Sequence, residues 1–413
     1  MNKNGFRAAA MTVPLLLAAV GCLPKDEPAD KSAEKPAAEA PSPTAMPVYD
    51  ERLGNQLKAA TRATTASGSA RFTATLTYGS ARGAAVERTT GVIDYAKDTA
   101  RVERSRVIPR GFPQEAAELV MRGGTTGSRH FVVEENDIAY RTAGGTWLRY
   151  SASDSKDFAD LADGLLAYAG DAAPWGRTLA EVVKPAYPDR EPETTADGGR
   201  KYRTTVDART AATALPQAIA WYVDSRGSGK VPLTVVLDKD GRLLRAEADF
   251  GGLLGPIHAR GMMTEVTSLR AEYVLTGHGR QTVRLVPLTE RHEEAEQVLT
   301  TMEKVKPGSC ASADTGLDTY VLVRVVPCGA AADLRVFGQV RVDETVQGDA
   351  SQVGDEASQE KCRDRYRAAP DAWTEGVGPE GSYRIHGGAS TSFAYTGPDA
   401  TVSGDFTCYV ELR

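Results

Sequence analysis

The sequence predicts an α+β protein with many short antiparallel strands and a few helices. Most of the chain after residue 48 consists of segments in which apolar and polar residues alternate, separated by turns rich in Gly, Asp and Asn. Such alternation is typical of antiparallel strands. A few other segments carry apolar residues at helical spacing. A mixture of this kind indicates the α+β class.

The N-terminal residues have the pattern of an export signal. Lys3 and Arg7 precede an apolar run of 13 residues, Ala8–Val20. A run of this length is too short to span the roughly 30 Å of hydrocarbon in a bilayer. Residues 1–21 therefore predict a signal peptide of a bacterial lipoprotein or secreted protein.

Cys22 directly follows this signal. The residues Ala19-Val20-Gly21-Cys22 resemble the bacterial lipobox, where a signal peptidase cuts before a cysteine whose thiol takes a diacylglycerol. The lipobox prefers Leu where this chain has Ala19. The resemblance implies lipidation of Cys22 and a protein anchored by lipid to the extracytoplasmic face of the cell membrane. The alternative is ordinary signal cleavage nearby, which gives a freely secreted protein.

The rest of the chain predicts a tether and two domains. Residues 22–47 are rich in Pro, Ala, Lys and Glu, and such a segment buries too little apolar surface to fold. We expect a first domain over 48–290, a charged linker helix over 291–304 and a small domain over 305–413.

The elements of the first domain follow from local patterns. In the first expected helix, Leu53, Leu57 and Ala60 share one stripe. Later in the domain, Asp238-Lys239-Asp240-Gly241 predicts a hairpin turn. The expected strands are 70–78, 86–95, 100–107, 129–135, 138–150, 201–207, 231–237, 242–250 and 262–276. The expected helices are 49–62, 157–169, 178–186 and 210–220.

The second domain contains four cysteines, and its clearest expected strands are 320–326 and 334–342, with a flexible polar loop over 348–356. An even number of cysteines in an exported segment indicates disulfides, and four cysteines allow three pairings. We favour Cys310–Cys328, which would tie a strand end to the preceding segment, and Cys362–Cys408, which would hold the C-terminus. A zinc site would need close C-x-x-C pairs, and the sequence has none.

Three stretches of the first domain, taken in order, resemble a known family. Gly91-Val92-Ile93-Asp94-Tyr95 is followed by Ile138-Ala139-Tyr140 with Trp147 after a glycine turn, and then by 231–243 with its hairpin turn. After a lipobox and a tether, this order resembles the actinobacterial envelope lipoproteins of the LppX/LprG type, whose fold is LolA-like. The resemblance implies a strongly curved antiparallel sheet, a half-barrel closed on one side by helices, with a hollow that holds acyl chains.

The family is described as carrying lipids or lipidated molecules, without enzymatic activity. The resemblance therefore implies non-covalent binding of such a ligand by this chain. The candidate residues for the lining of the hollow are Phe72, Leu76, Ile93, Tyr140, Trp147, Leu233, Val235 and Leu237. The residues alone leave a second interpretation open, a solid core without a cavity. Alternation does not decide which face is concave, because Val236 and Leu148 have the opposite parity.

The second domain resembles the septum-formation domain of actinobacterial membrane proteins. Val325-Val326-Pro327-Cys328 leads to Arg335-Val336-Phe337, as in that domain. The stretch Gly329-Ala330-Ala331-Ala332 replaces the Pro-His that often follows the cysteine in that family. Any role of that histidine is therefore missing here.

Several other function classes are not expected. The net charge is −6, and the acidic and basic residues are interspersed without a basic stripe, which argues against a nucleic-acid partner. The chain has neither a G-x-S-x-G elbow nor a P-loop, and we expect no enzyme, no cofactor and no metal. The rival to a lipid carrier is a cell-envelope interaction module with a filled core that acts through its surface or its C-terminal domain, on protein partners that the sequence does not name.

Overall fold

The structure is a computed structural model, and it describes residues 47–120, 128–134, 137–150, 179–216, 219–220, 223, 229–259, 261–286, 290–317, 320–329, 331–347, 350–374, 383–388, 391–396 and 399–412. The predicted signal peptide, the lipid attachment at Cys22 and almost all of the tether lie outside these residues, as does the helix expected over 157–169. None of the helices in the described ranges is both long and apolar enough to span a bilayer.

The first sheet follows the alternating pattern of the sequence and has twelve strands in the described part of the chain. The strands are β1 (Ser69–Ser80), β2 (Gly83–Asp94), β3 (Thr99–Val107), β4 (Arg129–Glu134), β5 (Asp137–Arg141), β6 (Trp147–Tyr150), β7 (Glu193–Thr194), β8 (Arg200–Asp207), β9 (Lys230–Leu237), β10 (Leu243–Asp249), β11 (Val266–Thr276) and β12 (His292–Glu294). Their spatial order is β12-β6-β5-β4-β3-β2-β1-β11-β10-β9-β8-β7.

Strand β1 lies in the middle of this order and pairs along most of its length with β2 on one side and β11 on the other. Phe72 is opposite Gly91 in β2 and opposite Leu275 in β11. A Cβ at position 91 would lie 2.6 Å from the Phe72 ring, so only glycine fits at this position. Every neighbouring pair in this sheet is antiparallel except β12 with β6, which is parallel. The expectation of an antiparallel sheet is therefore confirmed apart from this edge.

Helices cover one face of the first sheet, which we call the covered face. The helices are α1 (Leu53–Ala66), α2 (Gln114–Val120), α3 (Leu179–Val183), α4 (Ala208–Ala212) and α5 (Leu254–His258). Leu57 and Ala60 of α1, Val182 of α3 and Ile257 of α5 are fully buried against the same apolar cluster as the strands. This layer arrangement confirms the predicted α+β class.

Two expected helices are shorter than the sequence indicated. The helix expected over 178–186 is α3, and the helix expected over 210–220 is represented by α4, which begins two residues earlier. Asp207 caps α4, because its Oδ1 accepts a hydrogen bond from the Thr210 backbone N–H at 2.9 Å. Strong N-cap chemistry thus sets the start of this helix.

The linker helix expected over 291–304 is wrong. The segment instead forms β12, a helix of four residues, α6 (Ala295–Val298), and the short strand β13 (Thr300–Thr301). Leu299 is extended and 7% exposed, so tertiary packing ends the helix there. Because β12 belongs to the first sheet and β13 to the second, the boundary between the two sheets falls within this segment.

The second sheet has seven strands in the part of the chain that is described. They are β13, β14 (Cys310–Ser312), β15 (Leu322–Val326), β16 (Leu334–Gln347), β17 (Tyr383–Gly387), β18 (Ser392–Thr396) and β19 (Asp399–Glu411). Two helices accompany them, α7 (Ala350–Ala368) and α8 (Asp371–Thr374). The long antiparallel pair of β16 and β19 is the centre of this sheet.

The flexible loop expected over 348–356 is also wrong, because α7 begins at Ala350. The sequence of α7 is polar, but Ala357 and Cys362 are buried in the apolar cluster of the second sheet. Packing on β16 and β19 therefore stabilises a helix whose own apolar stripe is weak.

Both predicted disulfides are confirmed. Cys310 pairs with Cys328, with the Cα atoms 5.1 Å apart, and Cys362 pairs with Cys408, with the Cα atoms 5.6 Å apart. The first disulfide joins β14 to the segment after β15, and the second joins α7 to β19. The disulfides thus tie one loop and one helix of the second domain to its sheet.

The core of the first sheet predicts a clear stability difference between two leucines. Replacing Leu237, which is fully buried, by Ala should lower the free energy of unfolding by about 2–5 kcal/mol, because it removes apolar contacts and leaves a cavity. The matched change at Leu285, which is 38% exposed, should cost well under half of that. Urea unfolding of both variants measures the difference, and equal losses would contradict this assignment of the core.

Candidate functional site

Seven of the eight residues predicted to line the hollow lie on the covered face, but they are packed. The pairing registers place Phe72, Leu76, Ile93, Tyr140, Leu233, Val235 and Leu237 on this face. All seven are at most 8% exposed and belong to the apolar cluster beneath the helices. Of the seven, Leu76 contacts a cavity, and this cavity has a volume of only ≈ 70 Å³.

Trp147 is on the other face, so its predicted place in the hollow is wrong. Tyr140 is opposite Leu148, and Arg141 is opposite Trp147. Leu148 therefore takes the inward position, since neighbouring residues of a strand point to opposite faces. The indole Nε1 of Trp147 donates a hydrogen bond to Glu290 at 2.5 Å, and the Arg141 guanidinium lies 5.9 Å from the ring centroid.

A loop of the second domain closes the β5–β6 end of the covered face. The Tyr140 hydroxyl donates to Asp314 Oδ1 at 2.5 Å, and the Tyr150 hydroxyl donates to the Thr315 carbonyl at 2.5 Å. Gly316 has a φ of +83°, and a Cβ there would lie 2.6 Å from the Tyr140 ring. Only glycine fits this close approach. Protein groups thus occupy the space that acyl chains were expected to fill.

Buried charges lie elsewhere on the covered face. Glu87 of β2 forms ion pairs with Arg104 of β3 at 2.5 Å and with Arg106 of β3 at 2.8 Å. Their side chains are only 12%, 8% and 6% exposed, respectively. The alternating pattern does not predict this cluster, because charged residues in an alternating strand are normally expected to face water. The available signal was their parity, which is that of Ile93 and Ala100.

A larger cavity lies at the Ser69 end of β1, beside the second half of α1. Its volume is ≈ 740 Å³, within the roughly 300–1,000 Å³ typical of small-molecule sites. Helix α3 and the strand ends at Leu243 and Leu275 form the other walls. The described lining residues are Lys58, Thr61, Arg62, Thr64, Thr65, Ala66, Gly68, Tyr95, Ala96, Ala180, Glu181, Lys184, Leu243 and Leu275. We call this space the α1 cavity.

Local hydrogen bonds hold the wall of the α1 cavity in place. The Thr64 hydroxyl accepts from the Leu243 backbone N–H at 2.8 Å and donates to the Ala60 carbonyl at 2.7 Å. These bonds join α1 to the start of β10. Gly68 ends the helix connection with a φ of +84°, and its carbonyl accepts from the Tyr95 N–H at 2.9 Å. The geometry of the cavity is therefore set by α1 and by two strand ends.

The α1 cavity has an apolar interior and a basic rim. Most of its accessible surface is apolar, whereas Lys58, Arg62 and Lys184 are exposed at its rim. None of the eight residues predicted for the hollow lines this cavity. No local pattern predicts this cavity, because the lining comes from one helix face and from the ends of strands that are distant in the chain.

Tyr95 is the most unusual residue of the lining. It is 8% exposed, and its hydroxyl is buried without a hydrogen-bond partner among the described residues. The Tyr273 hydroxyl is also buried without a hydrogen-bond partner among the described residues. Burial raises the pKa of both phenols well above the usual range. Both are therefore neutral donors near pH 7, and an unpaired buried donor is costly.

In the part of the chain that the structure describes, no group of three or more His, Cys, Asp or Glu side chains is arranged to hold an ion.

Comparisons with known proteins give only distant likenesses. The chain matches no protein-family model and no curated protein. The lipoprotein LppX of Mycobacterium tuberculosis is 12% identical over 55% of this chain and 96% of LppX, with a TM-score of 0.30. The MucA/MucB complex of Pseudomonas aeruginosa gives 8% identity over 86% of this chain and 94% of the other, with a TM-score of 0.23.

An outer membrane lipoprotein-sorting protein domain from Vibrio parahaemolyticus is 10% identical over 54% of this chain and 90% of the domain, with a TM-score of 0.19.

The contact between Tyr150 and Thr315 predicts a measurable coupling of the two domains. Tyr150→Phe leaves the buried Thr315 carbonyl without this donor and should lower the free energy of unfolding by about 1–3 kcal/mol. Tyr187→Phe is the matched control, since Tyr187 is 69% exposed, and it should change stability by less than about 0.5 kcal/mol. Thermal or urea unfolding tests both, and a silent Tyr150→Phe would show that this end of the sheet is not closed as described.

Proposed function

We propose that this protein is a membrane-anchored lipoprotein of the bacterial cell envelope that binds a lipid or a lipidated molecule non-covalently. The single observation that supports it best is the α1 cavity, with its volume of ≈ 740 Å³ and its apolar interior. Transfer of hydrocarbon from water into such a space stabilises the complex by about 25 cal/mol per Å² of apolar surface buried. No covalent chemistry is required for this function.

The proposed binding site differs from the hollow that the sequence resemblance implied. The middle of the covered face is packed, its β5–β6 end is closed by the loop at Asp314 and Thr315, and Glu87 and two arginines form a buried ion cluster. Contact with hydrocarbon would surround these charged groups with apolar material, which costs free energy. The ligand therefore enters beside α1 rather than along the centre of the sheet.

Anchoring through Cys22 places this site near its source of ligand. The diacylglycerol and the tether over 22–47 would keep the folded part at the outer face of the membrane while leaving it free to reach a partner. The protein acts in this proposal as a carrier or a binding protein, without enzymatic activity.

The second candidate function is an envelope interaction module. The packed centre of the covered face and the firm attachment of the second domain favour it. Arg324 of β15 donates a hydrogen bond to Glu293 of β12, which lowers the pKa of the Glu293 carboxyl and joins the two sheets by a charged pair. In this case the α1 cavity would stay empty in the cell.

Occupancy of the α1 cavity distinguishes the two functions. We expect native mass spectrometry of the full chain, extracted from its own membrane, to show a lipid bound in addition to the covalent acyl groups. Ala66→Trp should fill the space beside α1 and weaken lipid retention about tenfold or more, because Ala66 lines the cavity and is exposed there. The control is Ala81→Trp in the exposed β1–β2 turn, which should retain the lipid.

A chain that carries no additional lipid in its native host would support the interaction module instead. Equal lipid retention by Ala66→Trp and by the wild type would mean that the ligand is bound elsewhere.

The anchor is tested separately. Cys22→Ala removes the thiol that takes the diacylglycerol, so we expect the mature chain to lose its acyl mass and to leave the membrane fraction. Mass spectrometry of the N-terminal peptide and membrane fractionation measure these two effects. A wild-type peptide without acyl mass would show that the chain is secreted by ordinary signal cleavage.

A further inference from the structure

The rim of the α1 cavity carries positive charge on a protein that is negative as a whole. Lys58, Arg62 and Lys184 line the cavity together with one acidic residue, Glu181, whereas the formal net charge of the chain is −6. The cluster of cations is therefore a local feature of this rim and does not follow from the composition.

The ion pairs at the rim leave these cations accessible to a ligand. Lys184 is 3.8 Å from Glu181, and its side chain is 54% exposed. Arg62 is 3.6 Å from Glu51, with 60% of its side chain exposed. Exposed pairs at such distances are weak, because water screens them. An anion that makes several contacts at once competes well with them.

We propose that the α1 cavity selects an amphiphile with an anionic headgroup. The acyl chain occupies the α1 cavity, and the phosphate or carboxylate of the headgroup sits among Lys58, Arg62 and Lys184 at its rim. This inference rests on the proposed function and defines the class of ligand for the same site.

The test is a competition between two lipids with the same acyl chain. The full protein, freed of endogenous lipid in a mild detergent, is mixed with equal amounts of 1-palmitoyl lysophosphatidic acid and 1-palmitoylglycerol, and native mass spectrometry measures the ratio of the two bound forms. We expect the anionic lipid to be preferred about tenfold or more, as is typical of charge-assisted contacts.

Charge-matched variants assign this preference to the rim. Combined replacement of Lys58, Arg62 and Lys184 by Gln should bring the ratio close to one while the neutral lipid still binds. The control replaces Lys230, Lys239 and Lys306 by Gln, since all three are exposed and none belongs to the described lining. It removes the same charge and should keep the preference. Loss of preference in the control would overturn the role of the rim.

Two outcomes distinguish a failure of the anion preference from a failure of lipid binding itself. Equal binding of both lipids by the wild type would overturn the anion preference and leave lipid binding intact. Binding of neither lipid would overturn lipid binding itself. Displacement of the anionic lipid by inorganic phosphate at equal concentration would show that the rim recognises free phosphate, and would overturn the assignment to an amphiphile.

Discussion

The pairing of β1 with β2 and β11 is the constraint on which the rest of the structure depends. This register decides which residues of the central strands face the helices, and each further strand transmits that choice to its neighbour. Because side chains alternate between the faces, a slip by one residue would turn the apolar set towards water. The cross-strand fit of Phe72 and Gly91 locks the register, since a larger residue than glycine would meet the ring. The covered face, its packed centre and both of its ends follow from this pairing.

The covered face is divided into regions with different chemistry. An apolar centre packs against helices, the second domain closes one end through Tyr140 and Tyr150, and Glu87 with Arg104 and Arg106 forms a buried ion cluster. Removing charges from water costs free energy that only close pairing offsets. The cluster therefore favours one arrangement of β2 and β3 and is an unfavourable surface for hydrocarbon. The α1 cavity lies at the ends of the central strands, between α1 and α3.

The second domain is joined to the first by backbone pairing and by side-chain contacts. Strand β12 extends the first sheet in parallel with β6, and a few residues later β13 begins the second sheet. The loop that reaches Tyr140 and Tyr150 directly follows β14, which the Cys310–Cys328 disulfide ties to the end of β15. A change in the second domain therefore has a direct physical route to the covered face, through backbone pairing and through two buried tyrosine hydroxyls.

The sequence by itself determined the fold class, most strands of the first sheet, the Asp238–Gly241 hairpin and the presence of disulfides, because these depend on local alternation, turn chemistry and an even number of cysteines. The favoured pairing was one of three that the cysteines allow, and the structure decided in its favour. Seven of the eight residues assigned to the hollow have the expected parity, but parity does not tell whether a face is packed or empty. Only the tertiary structure decided that Trp147 points away, that α7 replaces a loop and that the linker contains strands rather than one long helix. The position of the α1 cavity was also decided at this level, because its walls come from residues far apart in the chain that meet only once the sheet is assembled.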